Sequence, residues 1–221
     1  APGTFFINAV MFVIAGITMM MIRRKHITIT ASEQTRLDIM GDFKSGLQYI
    51  FQRKKLLLIY IVQLLVFVEI LTAPVLLAPF AKQVLHASVT QFGHIEMSLS
   101  IGAVIGGLFM AWLADKFGLI KIVSIATIIL AVVYVSFSYN RSIYVAEFLY
   151  FLIGIIIAIW PLIITHAQTI TDINFQGRVQ SCFGSISGLL IMLIYVFVMA
   201  TSKTIPVHLY YWIECIFAMI S

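Results

Sequence analysis

Acidic side chains are few in this sequence, nine in 221 residues, and one of them stands where an acid is least expected. Glu69 is the single charged residue between Leu56 and Phe80 and lies thirteen residues into that apolar run, with Gln63 and Thr72 close to it along a helix. A carboxyl group in such a setting can carry a proton, meet a cationic group of a ligand, or hydrogen-bond to a neighbouring helix. Ionisable residues inside long apolar runs are functional candidates by default. Glu214 is seven residues into another apolar run, and Glu147 is four residues into a third. Glu69 leads this set of substrate-binding or proton-coupling candidates, with Gln63, Glu147 and Glu214 beside it. Glu147, Glu96, His94 and His166 stand near run ends and read as interfacial. No paired carboxylates, histidine cluster or serine–histidine constellation converge at one depth, so an enzyme is not expected. Cys182 and Cys215 read as small buried hydrophobes, with no metal spacing and no disulfide framework, and no cofactor is expected.

These residues need elements that hold them at depth. The composition is 62% hydrophobic and 10% charged, with mean hydropathy +1.06. Soluble domains carry roughly a quarter charged residues. The charges cluster in short segments separated by apolar stretches of membrane-crossing length. Runs such as Ile125 to Val133 and Leu152 to Ile159 do not alternate apolar with polar, which selects helices over a membrane barrel. The expected spans are about 3–22, 56–80, 92–114, 122–137, 143–165, 179–201 and 207–221. The net charge of +5 does not point to nucleic acid, because the basic residues sit at span ends. Tyr210, Tyr211 and Trp212 likewise read as interface residues.

Lysine and arginine set the orientation. Segments 23–55, 115–121 and 166–178 hold eleven of them, from Arg23, Arg24, Lys25 and Arg36 through Arg53, Lys54 and Lys55 to Lys116, Lys121 and Arg178. The opposite side holds three: Lys82, Arg141 and Lys203. The first side is therefore cytoplasmic. The first span then starts outside on Ala-Pro-Gly, without an initiator methionine or a visible signal peptide, and the expectation is that earlier spans precede it. The last span reads as cut short. The organisation is thus a span at 1–22, a cytoplasmic linker at 23–55 and a six-helix unit at 56–221. Within the linker, 38–52 reads as an amphipathic surface helix with Phe43, Leu47 and Ile50 on one side.

The six-helix unit splits into two sets of three spans, 56–137 and 143–221, the second inverted relative to the first. Features recur in register. The first span of each set carries proline in its second half, Pro74 and Pro79 in one and Pro161 in the other. The second span of each carries small residues, Gly102, Gly106 and Gly107 in one and Gly184, Ser185 and Gly188 in the other. Small residues four apart let helix backbones approach closely. Inverted three-helix repeats are a transporter construction.

Two loops carry further signals. In Ala111-Trp-Leu-Ala-Asp115-Lys116-Phe-Gly118-Leu-Ile-Lys121, Gly118 can supply the positive φ of a tight turn. Asp115 there could cap the next helix or pair with a cation in one conformational state. This stretch resembles the loop motif of the major facilitator superfamily, Gly-x-x-x-Asp-Arg/Lys-x-Gly-Arg-Arg/Lys. Asp115, Lys116 and Gly118 match it, while Ala111 replaces the leading glycine and Leu119 and Ile120 replace the basic pair. The second stretch, Pro161-Leu162, Gln168 and Gly177-Arg178-Val179-Gln180-Ser181, resembles the loop between spans 10 and 11 in the branch of that superfamily containing the enterobactin exporter and macrolide efflux proteins. Arg178 can anchor there to lipid phosphate or to a carboxylate such as Asp172.

The resemblance implies an all-α integral membrane bundle of twelve spans, of which this chain would supply spans 6–12. It implies a gradient-driven exporter of a drug or siderophore, working by alternating access in a bacterial cytoplasmic membrane. The implied gating residues are Asp115, Lys116, Gly118, Asp172, Gly177 and Arg178. The helices bearing Gly102, Gly106, Gly184 and Gly188 would line the contact between halves. The implied partners are a small-molecule substrate, membrane lipid and the N-terminal half. The alternative is a seven-helix receptor. A retinal protein would need a lysine inside its last helix, and 207–221 has none.

Overall fold

A computed structural model describes residues 2–21 and 39–220. The charges Arg23, Arg24, Lys25 and Arg36 of the expected linker lie outside the described residues. The described residues form nine helices and no strand. The chain divides into two units, Ala1–Asp38 and Ile39–Ser221. The first unit contains one apolar helix, α1 (Pro2–Met21), in which the Thr18 hydroxyl donates to the Ile14 carbonyl.

The second unit starts with the amphipathic helix α2 (Ile39–Phe51). Then follow α3 (Lys54–Gln83), α4 (Val89–Phe117), α5 (Leu119–Tyr139), α6 (Ile143–Ile157), α7 (Trp160–Thr169), α8 (Ile173–Thr201) and α9 (Val207–Ile220). Among the described residues five segments are long and apolar enough to cross a membrane: α3, α4, α5, the continuous stretch Ile143–Thr169, and α8. Phe6–Met21 and Val207–Ile220 are shorter apolar helices.

The sequence explains the boundaries. Before α4, Ser88 and Gln91 make a reciprocal capping box: the Gln91 amide N–H donates to Ser88 Oγ and the Ser88 N–H to Gln91 Oε1. Gly118, at φ +89°, is the whole link between α4 and α5. A residue with a Cβ would be strained there. The stretch expected as one span over 143–165 is interrupted. Pro161 has no N–H to offer the carbonyl one turn back, and its ring crowds that turn. The backbone tightens instead, with the Ala158 N–H donating to the Ile155 carbonyl and the Ile159 N–H to that of Ile156. α3 continues through Pro74 and Pro79.

Most of the packing follows the inverted repeat, although α4 meets α5 with no comparable contact between α8 and α9. Exchanging α3 with α6–α7, α4 with α8 and α5 with α9 turns the α4–α6 contact into α8–α3, and α3–α9 into α6–α5. All four contacts are present, and α5–α9 maps onto itself. Two apolar clusters result. One joins α3, α5, α6 and α9 around Phe80, Phe137, Tyr150 and Tyr211, whose rings meet edge-on or stacked at 5.0–5.6 Å. The other joins α2, α3, α7 and α8 around Tyr49, Tyr60, Ala167, Val179 and Phe183. Helix α2 packs on α8 and α3, so it belongs to the bundle rather than to a separate linker.

Candidate functional site

Glu69 lies at the midpoint of the thirty-residue α3, at the level where the two clusters meet. Val66 belongs to the first cluster and Phe67 packs against the second. The Glu69 side chain is 1% exposed, and neither carboxyl oxygen has a hydrogen-bond partner among the described residues. It borders a small internal space with Thr127, Leu130 and Tyr134 of α5 and Ile153 and Ile156 of α6. Glu214 of α9 is also buried, with Oε2 unpartnered among the described residues, and lies within electrostatic reach of Glu69. No cation pairs with either acid among the described residues. Tyr134 is fully enclosed within electrostatic reach of both.

The two acids open in different directions. Glu214 lines a half-open cleft of about 390 Å³ between α3, α8 and α9, together with Thr72, Tyr195, Tyr210 and Phe217. Glu69 lies deeper, on the α5–α6 side of α3. The cleft is mostly hydrocarbon, with Glu214 and the hydroxyl-bearing Thr72, Tyr195 and Tyr210 among its lining residues. The Tyr195 hydroxyl donates to the Leu71 carbonyl across the α3–α8 contact, and Thr72 Oγ1 donates to the Val68 carbonyl. Its polarity can orient a small amphipathic molecule, because a few polar groups in an apolar cleft fix orientation.

The other candidates spread out. Gln63 is fully buried, with both ends of its amide unpartnered among the described residues. Glu147 stands away from the acid pair, 3.8 Å from His94 Nδ1 across the α4–α6 seam. Asp115 is exposed, caps nothing and makes no ion pair among the described residues, and the N-cap of α5 is Gly118. Lys116 lies over the Trp112 ring at 4.9 Å.

Asp172 does not pair with Arg178. It caps α8 by accepting from the Asn174 N–H at 2.8 Å, which turns its carboxylate to the helix start. Arg178 pairs instead with Asp42 of α2, Nε to Oδ1 at 2.8 Å. Tyr49 reinforces that contact, stacking on Phe175 at 4.3 Å while its hydroxyl accepts from the Asp172 N–H. Asp42 and Tyr49 escape a reading of the sequence because their partners are more than a hundred residues away. Their placement on the polar and apolar sides of an amphipathic helix was the available signal.

Tyr210 and Tyr211 are buried rather than interfacial, and only Trp212 of the three is exposed. The fourfold spacing from Tyr210 to Glu214 and Ala218 puts them on the packed face of α9. The Tyr211 hydroxyl has no partner among the described residues.

The glycines divide. Gly102 and Gly106 are buried against the backbone of Phe151 and Ile155 on α6, inside the unit rather than at an outer contact. Gly177, Gly184 and Gly188 of α8 are exposed, with open space at each.

Helices long and apolar enough to cross a membrane, with two acids buried among them, define a multi-pass membrane protein. The Major Facilitator Superfamily profile matches residues 59–221, and the chain belongs to that superfamily. Members are membrane transporters, which sets aside the receptor reading. No curated protein and no solved structure matches the chain.

Proposed function

We propose that this chain is the C-terminal portion, spans 6–12, of a proton-coupled exporter of a small organic molecule in a bacterial cytoplasmic membrane. The observation that carries the coupling is the buried Glu69 at the middle of α3, whose carboxyl oxygens have no partner among the described residues. A buried carboxyl group without a cationic partner is neutral only when it carries a proton, and an uncompensated charge in hydrocarbon costs several kcal/mol. Protonation and release at the pair therefore differ by several kcal/mol in what the surrounding packing must accommodate. That is enough to bias two arrangements of the bundle. Glu214 lines the cleft and Glu69 the interior space beside it on α3.

Export, rather than uptake, is supported by the Gly177-Arg178-Val179-Gln180-Ser181 loop and its resemblance to the enterobactin and macrolide branch. Spans 6–12 are supported by the Asp115-Lys116-x-Gly118 turn, whose counterpart in the superfamily recurs between spans 8 and 9. The wide uncovered faces of α4 and α8, the two least buried spans, are where a second half would pack.

The test is Glu69→Gln in the full-length protein, reconstituted in vesicles with an imposed proton gradient. Gradient-driven transport is expected to fall to background, while insertion and energy-independent exchange of substrate persist. Gradient-driven transport at the wild-type rate would remove Glu69 from coupling.

A further inference from the structure

We propose that the groove between the cytoplasmic ends of α3, α5 and α7 is a binding site for one anionic phospholipid. Its mouth, about 820 Å³, is lined by Arg53, Lys54 and Lys55 at the start of α3 and by His166 of α7. A narrower space of about 120 Å³ shares Ile59, Ile120 and His166 with the mouth and continues to Val62, Val123 and Ile163. One end is cationic and the other is hydrocarbon. That is the polarity of a phosphate headgroup followed by an acyl chain.

The cations are available. Lys54 and Lys55 are exposed and enter no ion pair among the described residues. Arg53 is held in place, its guanidinium 3.8 Å from the centre of the Tyr49 ring and one Nη donating to the Tyr49 carbonyl. This leaves other N–H groups of the same fork for a phosphate oxygen. Among the described residues no acidic side chain lines the groove. Asp42, on the neighbouring helix, is committed to Arg178. Leu58 and Ile120 are 62% and 74% exposed at the mouth, an apolar rim beside the charges. A free anion would use the cations and leave this rim in water. A zwitterionic lipid would bring its own cation to three cations. Basic pockets between spans on the cytoplasmic side select anionic headgroups.

The site is separate from the acid pair, on the cytoplasmic end of α3 rather than at its middle, so its test does not depend on proton coupling. Purified full-length protein is equilibrated with equal amounts of dioleoylphosphatidylglycerol and dioleoylphosphatidylcholine, and retained lipid is counted by native mass spectrometry. One phosphatidylglycerol is expected to stay bound in preference to phosphatidylcholine. The Lys54→Gln/Lys55→Gln variant is expected to weaken it by about fivefold for each lysine removed. Lys44→Gln/Lys116→Gln, with the same charge lost from the same side, should leave it unchanged. Ile120→Trp, which fills the mouth and keeps every charge, should also reduce retention. A large excess of inorganic phosphate should leave the lipid in place. Equal retention of the two lipids, equal loss in both double variants, no effect of Ile120→Trp, or displacement by phosphate would each overturn the site. Melting temperatures of the variants, matched to wild type, exclude misfolding as the cause of a loss.

Discussion

Two helices of this bundle carry glycines four apart, and they use them in opposite ways. On α4, Gly102 and Gly106 are pressed against α6, and α6 answers with Gly154, which meets the backbone of Leu99 and Ala103. On α8, Gly184 and Gly188 have nothing near them. The repeat relates α4 to α8, so the same sequence device yields a closed seam in one copy and an open face in the other. The difference lies in the partner. α6 supplies a glycine of its own and its backbone comes close, whereas α3 meets α8 through larger side chains: Tyr195 reaches the Leu71 carbonyl, and Phe67 and Tyr60 lie against Phe183. Close helix approach needs small residues on both sides, and the α3 residues that reach α8 here, Tyr60 and Phe67, are large.

Adding one methyl group to the seam is the most damaging way to test this comparison. A Cβ at Gly102 would run into the Phe151 carbonyl oxygen, and one at Gly154 into that of Leu99. Both obstacles are backbone and cannot rotate aside. Gly102→Ala is expected to destabilise the bundle by roughly 3 kcal/mol, the upper part of the usual overpacking range. Thermal unfolding of the purified full-length protein in detergent measures it. A melting temperature equal to wild type would mean that the seam is looser than described.

The same substitution on the open face should behave differently. Gly188→Ala adds a Cβ into empty space and replaces a poor helix former. Stability should stay within about 1 kcal/mol of wild type, with any shift toward greater stability. A second half packed on α8 would be revealed by Gly184→Leu with Gly188→Leu. The expected outcome is a melting temperature near wild type together with slower transport in vesicles. Unchanged transport would leave the α8 face turned to lipid.

How much of this was legible before the structure follows the range of the forces involved. The spans, the positive φ of Gly118 and the buried depth of Glu69 are local consequences of apolar runs, a one-residue link and a charge in hydrocarbon. Those signals lie within a few turns of chain. The direction in which a helix face points does not. Gly102 and Gly184 sit in matching patterns, and only the positions of Gly154 and Phe183 on other helices decide which is covered. Tyr211 was hidden for the same reason: an aromatic near a span end looks interfacial until Phe80 and Phe137 are found stacked around it. The interruption at Ala158–Ile159 was half legible, since Pro161 announces a defect but not whether the helix continues through it, as α3 does through Pro74, or breaks.

The smallest expected effect concerns the N-terminal end of the open helix, where α8 does find a partner. Gly46 of α2 lies against the Arg178 carbonyl, the Cys182 thiol donates to the Phe43 carbonyl, and Asp42 meets Arg178 at 2.8 Å. Here α8 receives the close approach it lacks higher up, from α2 rather than from α3. Both members of the ion pair are about half exposed, so water screens it. Its coupling should be only about 0.2–1 kcal/mol. A double-mutant cycle of Asp42→Asn and Arg178→Gln, read by thermal unfolding, isolates that coupling from other effects of each change. A coupling well above 1 kcal/mol would mean that α2 is held chiefly by charge. The expected small value leaves that work to Tyr49, Phe175 and the Gly46 contact, so α2 would stay docked at high salt.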